Sequence, residues 1–162
     1  MPKVALAPVG LFYSYSHKDE SLREELDKHL APLRHEGVIH SWHDRKIGPG
    51  RDLDHEIDQH LENDDIILLL VSSDFIASEY CYGVEVARAM QRHNAGTARV
   101  IPVILRPVDW HNTPFRKLLA LPTDGKPVTT WTNQDEAFLN VASGIRRAAD
   151  ELRSAQSDPE PG

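Results

Sequence analysis

The chain has 162 residues, with 18 Lys or Arg against 25 Asp or Glu, so its formal net charge is −7. This length fits one domain with its own hydrophobic core. The acidic balance argues against nonspecific binding to nucleic acids or anionic membranes, which requires clustered Lys and Arg. The single cysteine, Cys81, excludes an internal disulfide framework and a zinc site with two Cys ligands. We therefore expect a reducing, cytoplasmic location.

No segment of the sequence predicts membrane targeting. Residues 1–10 carry Lys3 and two prolines and lack the continuous apolar region of a signal peptide. The longest apolar run, residues 66–71, is far shorter than the ~20 residues that cross a bilayer. The sequence thus predicts no membrane partner.

The first third of the chain predicts two strands around one helix. Residues 9–15 are β-branched and aromatic and predict the first strand. Ser16 is a candidate cap for a helix whose apolar face repeats at helical spacing through Leu22, Leu26, Leu30 and Leu33. Gly37 is expected to end this helix, and residues 38–42 predict a second strand.

The middle of the chain contains a turn-rich loop and the most apolar strand. Residues 43–50 include two glycines around Pro49, which continue neither a helix nor a strand. Asp52 is expected to cap the next helix. Residues 66–71 form an unbroken apolar run, typical of a strand buried on both faces. A helical pattern then covers residues 78–93.

The last third predicts two more strands and a final helix. Residues 100–105 form a strand in which Pro102 indicates an edge position or a break in pairing. Residues 128–131 predict a weak fifth strand after an irregular stretch. The final helix runs through Leu152, and the polar residues 154–162 predict a tail or linker. Alternation of strands and helices implies a parallel sheet with helices on both faces and the apolar strand 66–71 in mid-sheet.

Polar side chains cluster where these strands end. Ligands of open α/β sheets bind beyond the carboxyl ends of the strands. Hydroxyls, aromatic rings and a carboxylate at these ends suit a polyol or nucleotide better than a metal or a nucleic-acid strand. The residues concerned are Ser14, Tyr15, Ser16, His17, His43, Asp44, Arg45, Ser72, Ser73, Asp74, Arg106 and the segment 78–85.

Several common sites are excluded or disfavoured. The sequence has no Gly-rich dinucleotide fingerprint, no P-loop and no GxSxG nucleophile elbow. The nine histidines are scattered, and His55 and His60 lack the spacing of an HExxH zinc motif, so we expect no metal site. A receiver domain would require an acidic pair after the first strand and an Asp ending the third, whereas the third strand ends in Val71 and Ser72.

Four segments in order resemble the Toll/interleukin-1 receptor (TIR) domain family in its bacterial form. Residues 12–19 (FYSYSHKD) resemble its first box, residues 42–50 (WHDRKIGPG) its BB loop, residues 65–85 the box that carries its catalytic glutamate, and residues 100–106 its fourth strand. The resemblance implies a flavodoxin-like five-stranded parallel sheet. It also assigns residues 9–153 to the TIR domain, after an extension at residues 1–8.

The resemblance implies one of two functions. The first is cleavage of NAD+ at the nicotinamide–ribose bond, giving ADP-ribose or a cyclic product, with NAD+ as substrate and no cofactor. The second is a non-catalytic TIR interaction or scaffold module. Self-assembly with other TIR domains, a fused or partner sensor domain, and a role in bacterial anti-phage defence or signalling are further implications.

The resemblance also assigns residues to these roles. Glu85 is the expected catalytic carboxylate. The expected substrate contacts are Ser14, Tyr15, Ser16, His17, Asp44, Arg45, Ile47, Tyr80 and Cys81, with Tyr80 in place of the family's Trp. The expected self-association loop comprises Lys46, Gly48, Pro49 and Gly50. The helix alone leaves Glu85 an alternative role as a solvent-facing carboxylate paired with Arg88.

Overall fold

A computed structural model describes residues 6–42 and 59–157, apart from the side chains of Trp42, Tyr80 and Ser157. In this part of the chain the sheet has four parallel strands in the order β2-β1-β3-β4. The parallel α/β fold that the sequence predicts is confirmed. The strands are β1 (Val9–Ser14), β2 (Ile39–Trp42), β3 (Ile66–Val71) and β4 (Arg99–Ile104).

β3 lies between β1 and β4, and all six of its residues are buried. Its register pairs Leu69 with Ser14 of β1 and with Pro102 of β4. An apolar run without alternation is what a strand covered on both faces requires. The predicted mid-sheet position of this strand is confirmed.

Helices pack on both faces of the sheet. One core cluster joins Leu26 and Phe138 to β1 residues such as Tyr13, and the other joins Phe75 and Val86 to the opposite face. No helix in the described ranges has the length and apolar character needed to cross a membrane. The helices are α1 (Glu20–His29), α2 (Ala31–His35), α3 (Ser73–Ala77), a π-helical segment (Glu79–Glu85), α4 (Val86–Asn94) and α5 (Gln134–Ser157).

Two predicted helices need correction in their extent. The helix expected through Leu33 breaks at Leu30 into α1 and α2, because Pro32 has no N–H to donate to the carbonyl one turn before it. Gly37, at φ 73°, follows α2 as expected. Of the helix expected from Asp52, the described residues 59–63 are helical and the rest lies outside the described residues.

The predicted fifth strand is wrong. Val128–Thr130 is a 3-10 turn, in which the amides of Thr130 and Trp131 donate to the carbonyls of Pro127 and Val128. The Thr129 amide donates to the carbonyl of Leu105, the residue after β4, at 3.1 Å, without forming a strand. The place beside β4 is taken by Leu121, which makes a single parallel bridge to Val103.

The outer edge of β4 is closed by these local contacts. The Ile104 amide donates to the Leu121 carbonyl at 2.8 Å, and the Leu121 amide donates to the Pro102 carbonyl at 2.9 Å. The Val100 amide donates to Nδ1 of His93 at 3.1 Å. Pro102 thus lies on an edge strand, as its missing N–H predicts.

α5 continues to Ser157, past the expected domain end at residue 153. Its last turns contact the segment before β1, since Arg153 donates to the Leu6 carbonyl at 3.4 Å and Gln156 to the Ala7 carbonyl at 3.5 Å. Residues 154–157 of the expected tail are therefore helical. The remaining tail residues, and residues 1–5 of the expected extension, lie outside the described residues.

Candidate functional site

The carboxyl ends of β1, β3 and β4 lie at one edge of the sheet. β1 ends at Ser14, β3 ends just before Ser72, and β4 ends just before the segment that carries Arg106. The π-helical segment that follows α3 brings Glu85 to this edge. This is the part of an open α/β sheet where ligands bind.

Glu85 and Ser14 are in direct contact. The Ser14 hydroxyl donates to Oε1 of Glu85 at 2.6 Å, across 71 residues of sequence. Ser14 is fully buried and Glu85 is 5% exposed. A buried carboxylate requires polar partners, because removal from water costs more than an isolated charge recovers in an apolar environment. The hydroxyl at the end of β1 supplies one.

The backbone before Glu85 is π-helical from Glu79 to Glu85. Ser78 caps this segment by accepting a hydrogen bond from the Cys81 amide at 3.1 Å. The Cys81 thiol donates to the Tyr15 carbonyl at 3.4 Å, which attaches the segment to the residue after β1. π-helical turns are rare and occur frequently at functional sites, because they displace side chains from the positions that an α-helix would give them.

The alternative role for Glu85 is wrong. Arg88, the partner expected one turn later, instead binds Glu62 with two guanidinium nitrogens. Glu85 points into the fold rather than to solvent. The sequence could not choose between these partners, because Glu62 lies 26 positions before Arg88 in the chain.

Tyr15, Ser16 and His17, the residues that follow Ser14, each have different contacts. The Tyr15 hydroxyl donates to Glu20 at 2.6 Å, and the Tyr15 side chain is buried. Ser16 caps the 3-10 turn His17–Asp19 rather than α1 itself, accepting from the Lys18 amide at 3.2 Å. His17 is exposed, with its ring 6.0 Å from that of Tyr15.

A polar network behind Tyr15 fixes this strand end to α1. Arg23 donates to Glu20 at 2.7 Å, and its guanidinium lies 5.7 Å from the ring centroids of both Tyr13 and Tyr15. The Tyr13 hydroxyl donates to Asp27 at 2.8 Å. Burial, and then the negative charge of Asp27, raises the pKa of Tyr13 well above its ordinary value. Tyr13 is therefore a neutral donor at any physiological pH.

Asp19 is a second buried carboxylate at this edge, and it is not among the site residues expected from the sequence. Asp19 accepts from the Ser72 hydroxyl at 2.5 Å and from Nε of Arg106 at 2.8 Å. Arg106 also donates to Asp74 at 2.5 Å. The hydrogen bond to Asp19 raises the pKa of Arg106. Ser72, Asp74 and Arg106 were recognisable as strand-end residues, whereas nothing in the sequence pattern singles out Asp19.

Part of the expected site lies outside the described residues. This applies to both substrate contacts and self-association residues of the loop after β2, namely Asp44, Arg45, Lys46, Ile47, Gly48, Pro49 and Gly50. The backbone of Tyr80 is in the π-helical segment, and its side chain is not described. Within residues 6–42 and 59–157, no three His, Cys, Asp or Glu side chains are grouped to hold a metal ion.

A protein of Sinorhizobium fredii (strain NBRC 101917 / NGR234), named uncharacterized protein y4lF, is similar to this chain. The two are 57% identical over 150 residues, which cover 93% of this chain and 46% of that protein. The chain therefore spans about half the length of this curated relative.

Two solved structures share the fold, each with a TM-score of 0.50. The TIR domain of the Toll-related receptor TRR-2 from Hydra magnipapillata is 20% identical, and the match covers 85% of this chain and 97% of that one. The TIR domains of the activated Roq1 resistosome, which directly recognises the pathogen effector XopQ, are 18% identical, with 88% and 84% covered. The TIR domain profile matches residues 11–139. The chain belongs to the TIR domain family.

Proposed function

We propose that this domain hydrolyses NAD+ at the nicotinamide–ribose bond, with Glu85 as the catalytic carboxylate. The observation that supports this most is the buried contact between Glu85 and Ser14 at the carboxyl end of β1. It places a carboxylate at the edge of the sheet where α/β folds bind ligands. Membership of the TIR family supports the same assignment.

One carboxylate is sufficient for this chemistry. The bond between C1′ and the nicotinamide nitrogen breaks with its electron pair going to the nitrogen, so the cationic pyridinium leaves as neutral nicotinamide without a general acid. The ribose becomes an oxocarbenium ion, as in glycoside hydrolysis. A carboxylate facing that cation stabilises it electrostatically. Water then adds to C1′ and loses a proton, giving ADP-ribose; attack by the adenine ring instead gives a cyclic product.

The remaining substrate contacts are part of the proposal. Tyr15, Ser16 and His17 follow β1 and line the approach to Glu85 in this scheme, and Cys81 lies on the segment that carries Glu85. Tyr80 would stack on nicotinamide or adenine. The loop residues 44–50 would cap the substrate and mediate association between copies.

We propose that turnover requires several copies to assemble, because a loop from a neighbouring copy can complete the pocket. A fused or separate sensor domain would bring the copies together, in anti-phage defence or signalling within the cytoplasm. The curated relative extends well beyond the part that this chain matches, which is compatible with a sensor region there.

The test compares nicotinamide release by Glu85→Gln and Glu79→Gln, each clustered through the same oligomerising fusion partner. Glu79 is an exposed glutamate of the same π-helical segment, so its variant is a matched control. We expect Glu85→Gln to lower the rate roughly 100-fold or more, since it removes the charge opposite the oxocarbenium. Glu79→Gln should stay within about twofold of the parent rate, because it leaves that charge in place.

Two results would contradict the proposal. Equal release from Glu85→Gln and the parent protein would remove Glu85 from the reaction. Assembly of the clustered parent protein without any nicotinamide release would favour the scaffold function, which the family match also allows. Chromatography of the products separates ADP-ribose from a cyclic product.

A further inference from the structure

Ser14 is poorly placed for the substrate contact that the family resemblance assigns to it. Its side chain is fully buried, and its hydroxyl is 2.6 Å from Oε1 of Glu85. A serine hydroxyl has one proton to donate, and this one is donated to the carboxylate. A direct contact with a ribose or phosphate would require the hydroxyl to be reachable from solvent.

The Ser14 hydroxyl has a fixed place in the sheet. Ser14 is the last residue of β1, an interior strand, and its backbone pairs in register with Leu69 of β3. Glu85 is the last residue of the π-helical segment, a backbone form that is rarer than the α-helix. The Ser14 hydroxyl therefore offers the Glu85 carboxylate a donor whose position the sheet determines.

We propose that Ser14 is a positioning residue for Glu85: its buried hydroxyl orients the carboxylate and stabilises its ionised form, and it does not contact the substrate. The assignment rests on the proposed NAD+ hydrolysis for its functional meaning. A carboxylate that stabilises a cation has to be ionised and correctly oriented before the cation forms. A hydrogen bond donated to a carboxylate favours the charged form and restricts its rotamers.

The chain supplies a matched control at the neighbouring strand end. Ser72 is also fully buried, and its hydroxyl donates to a buried carboxylate, that of Asp19 at 2.5 Å. Ser72→Ala and Ser14→Ala thus each remove a serine–carboxylate hydrogen bond from the same edge of the sheet. Ser72→Ala also removes the bond from the Phe75 amide that caps α3, at 3.1 Å. Of the two changes, Ser14→Ala is the one that removes the contact to Glu85.

The first measurement does not depend on turnover. The side-chain carboxyl resonances of 13C-labelled glutamates are titrated by NMR in the parent protein and both variants, with the Glu85 resonance identified by its loss in Glu85→Gln. We expect Ser14→Ala to move the Glu85 midpoint to higher pH and Ser72→Ala to leave it unchanged. An unchanged midpoint in Ser14→Ala overturns the proposal.

Neither variant removes a titratable group, and Ser72→Ala also shows whether a change beside Asp19 reaches Glu85. The titratable groups on the elements at this edge are Tyr15, His17 and Asp19 after β1, Asp74 on α3, Glu79, Tyr80, Cys81 and Tyr82 on the π-helical segment, Arg88 on α4 and Arg106 after β4.

The second measurement is the separation of kcat from KM for NAD+ with the clustered protein. We expect Ser14→Ala to lower kcat roughly 10- to 100-fold, as the loss of a hydrogen bond to a charged group does, with KM unchanged. A raised KM with kcat retained would instead show that Ser14 contacts the substrate and would overturn the proposal. If no protein turns over while the NMR midpoint still moves, the proposed hydrolysis fails and the positioning of Glu85 by Ser14 stands.

A second variant covers the case in which Ser14→Ala does not fold. Ser14→Cys keeps nearly the same volume and a weaker S–H donor. The Glu85 titration midpoint and the kcat of Ser14→Cys should lie between the values of the parent protein and those expected for Ser14→Ala. A Ser14→Cys protein with parent values for both would contradict the proposal.

Discussion

Two buried serine–carboxylate pairs lie at the same edge of the sheet and connect different parts of the fold. Ser72 donates to Asp19, which also accepts from the Arg106 guanidinium at 2.8 Å. Ser14 donates to Glu85 at 2.6 Å. The first pair thus belongs to an ion pair between the ends of β3 and β4, whereas the second joins the end of β1 to the π-helical segment.

The contacts of Asp19 have a structural role. Asp19 lies in the turn between β1 and α1, Ser72 follows β3 and Arg106 follows β4, so this pair ties three strand ends together. A buried charge that is matched by a guanidinium is satisfied within the fold. Glu85 lies on the π-helical segment at the same edge, and it is the carboxylate that the proposed reaction requires opposite the substrate cation.

The largest expected effects come from neutralising each carboxylate in turn. Glu85→Gln should abolish most nicotinamide release while changing the free energy of unfolding by less than about 1 kcal/mol, because the amide keeps the shape and an acceptor for Ser14. Asp19→Asn should lower that free energy by about 1–3 kcal/mol through loss of charge-assisted bonds. Urea unfolding measures the free energy of unfolding, and the release assay measures the rate of nicotinamide formation. Full activity in Glu85→Gln together with lost activity but unchanged stability in Asp19→Asn would contradict these roles.

A smaller effect is expected from Arg106→Ala, which leaves Asp19 buried beside Ser72 without its cation. We expect a loss of about 2 kcal/mol in the free energy of unfolding, below the value for a fully buried pair because the Arg106 side chain is 31% exposed. The double variant Asp19→Asn/Arg106→Ala should lose less than the two single changes together. Strict additivity in urea unfolding would show that the two groups are not coupled.

The smallest effect is expected at a third buried carboxylate, which lies at the opposite end of the sheet. Asp64 lies 3.0 Å from Nδ1 of His60, and burial raises its pKa above the ordinary value of 3.8. A raised pKa in the folded state adds stability at low pH that is lost as pH rises from 3.8 through the folded value.

The parent protein should therefore lose stability relative to Asp64→Asn as pH rises through this window. Urea unfolding of both proteins across the acidic range measures the difference. A difference that stays constant with pH would mean that Asp64 titrates alike in the folded and unfolded chains.

The sequence predicts those features that depend on local pattern. The apolar run of β3, Gly37 after α2, Pro102 at the sheet edge and a parallel α/β fold all follow from composition and periodicity along a few residues. The sequence also predicts that Ser14 and Glu85 lie at one edge, because parallel strands have their carboxyl ends at the same edge of a sheet, and the structure brings the two side chains into contact. These features can be predicted without knowing which residues distant in the chain contact each other.

The features that the sequence does not predict depend on distant partners. Residues 128–131 have strand-like side chains, but Leu121 already occupies the position beside β4, so they turn instead. Arg88 binds Glu62 rather than the glutamate one turn before it. Asp19 gains its importance from Ser72 and Arg106, which are 53 and 87 positions away in the chain.

The closed edge of β4 has a consequence for contacts between copies of this domain. The outward amides of this strand offer no donor to another molecule, because those of Val100 and Ile104 are bonded and Pro102 has none. An exposed strand edge is a template for aggregation through strand addition. A second copy therefore cannot extend the sheet by adding a strand beyond β4, and contacts at this side of the molecule have to be made by side chains.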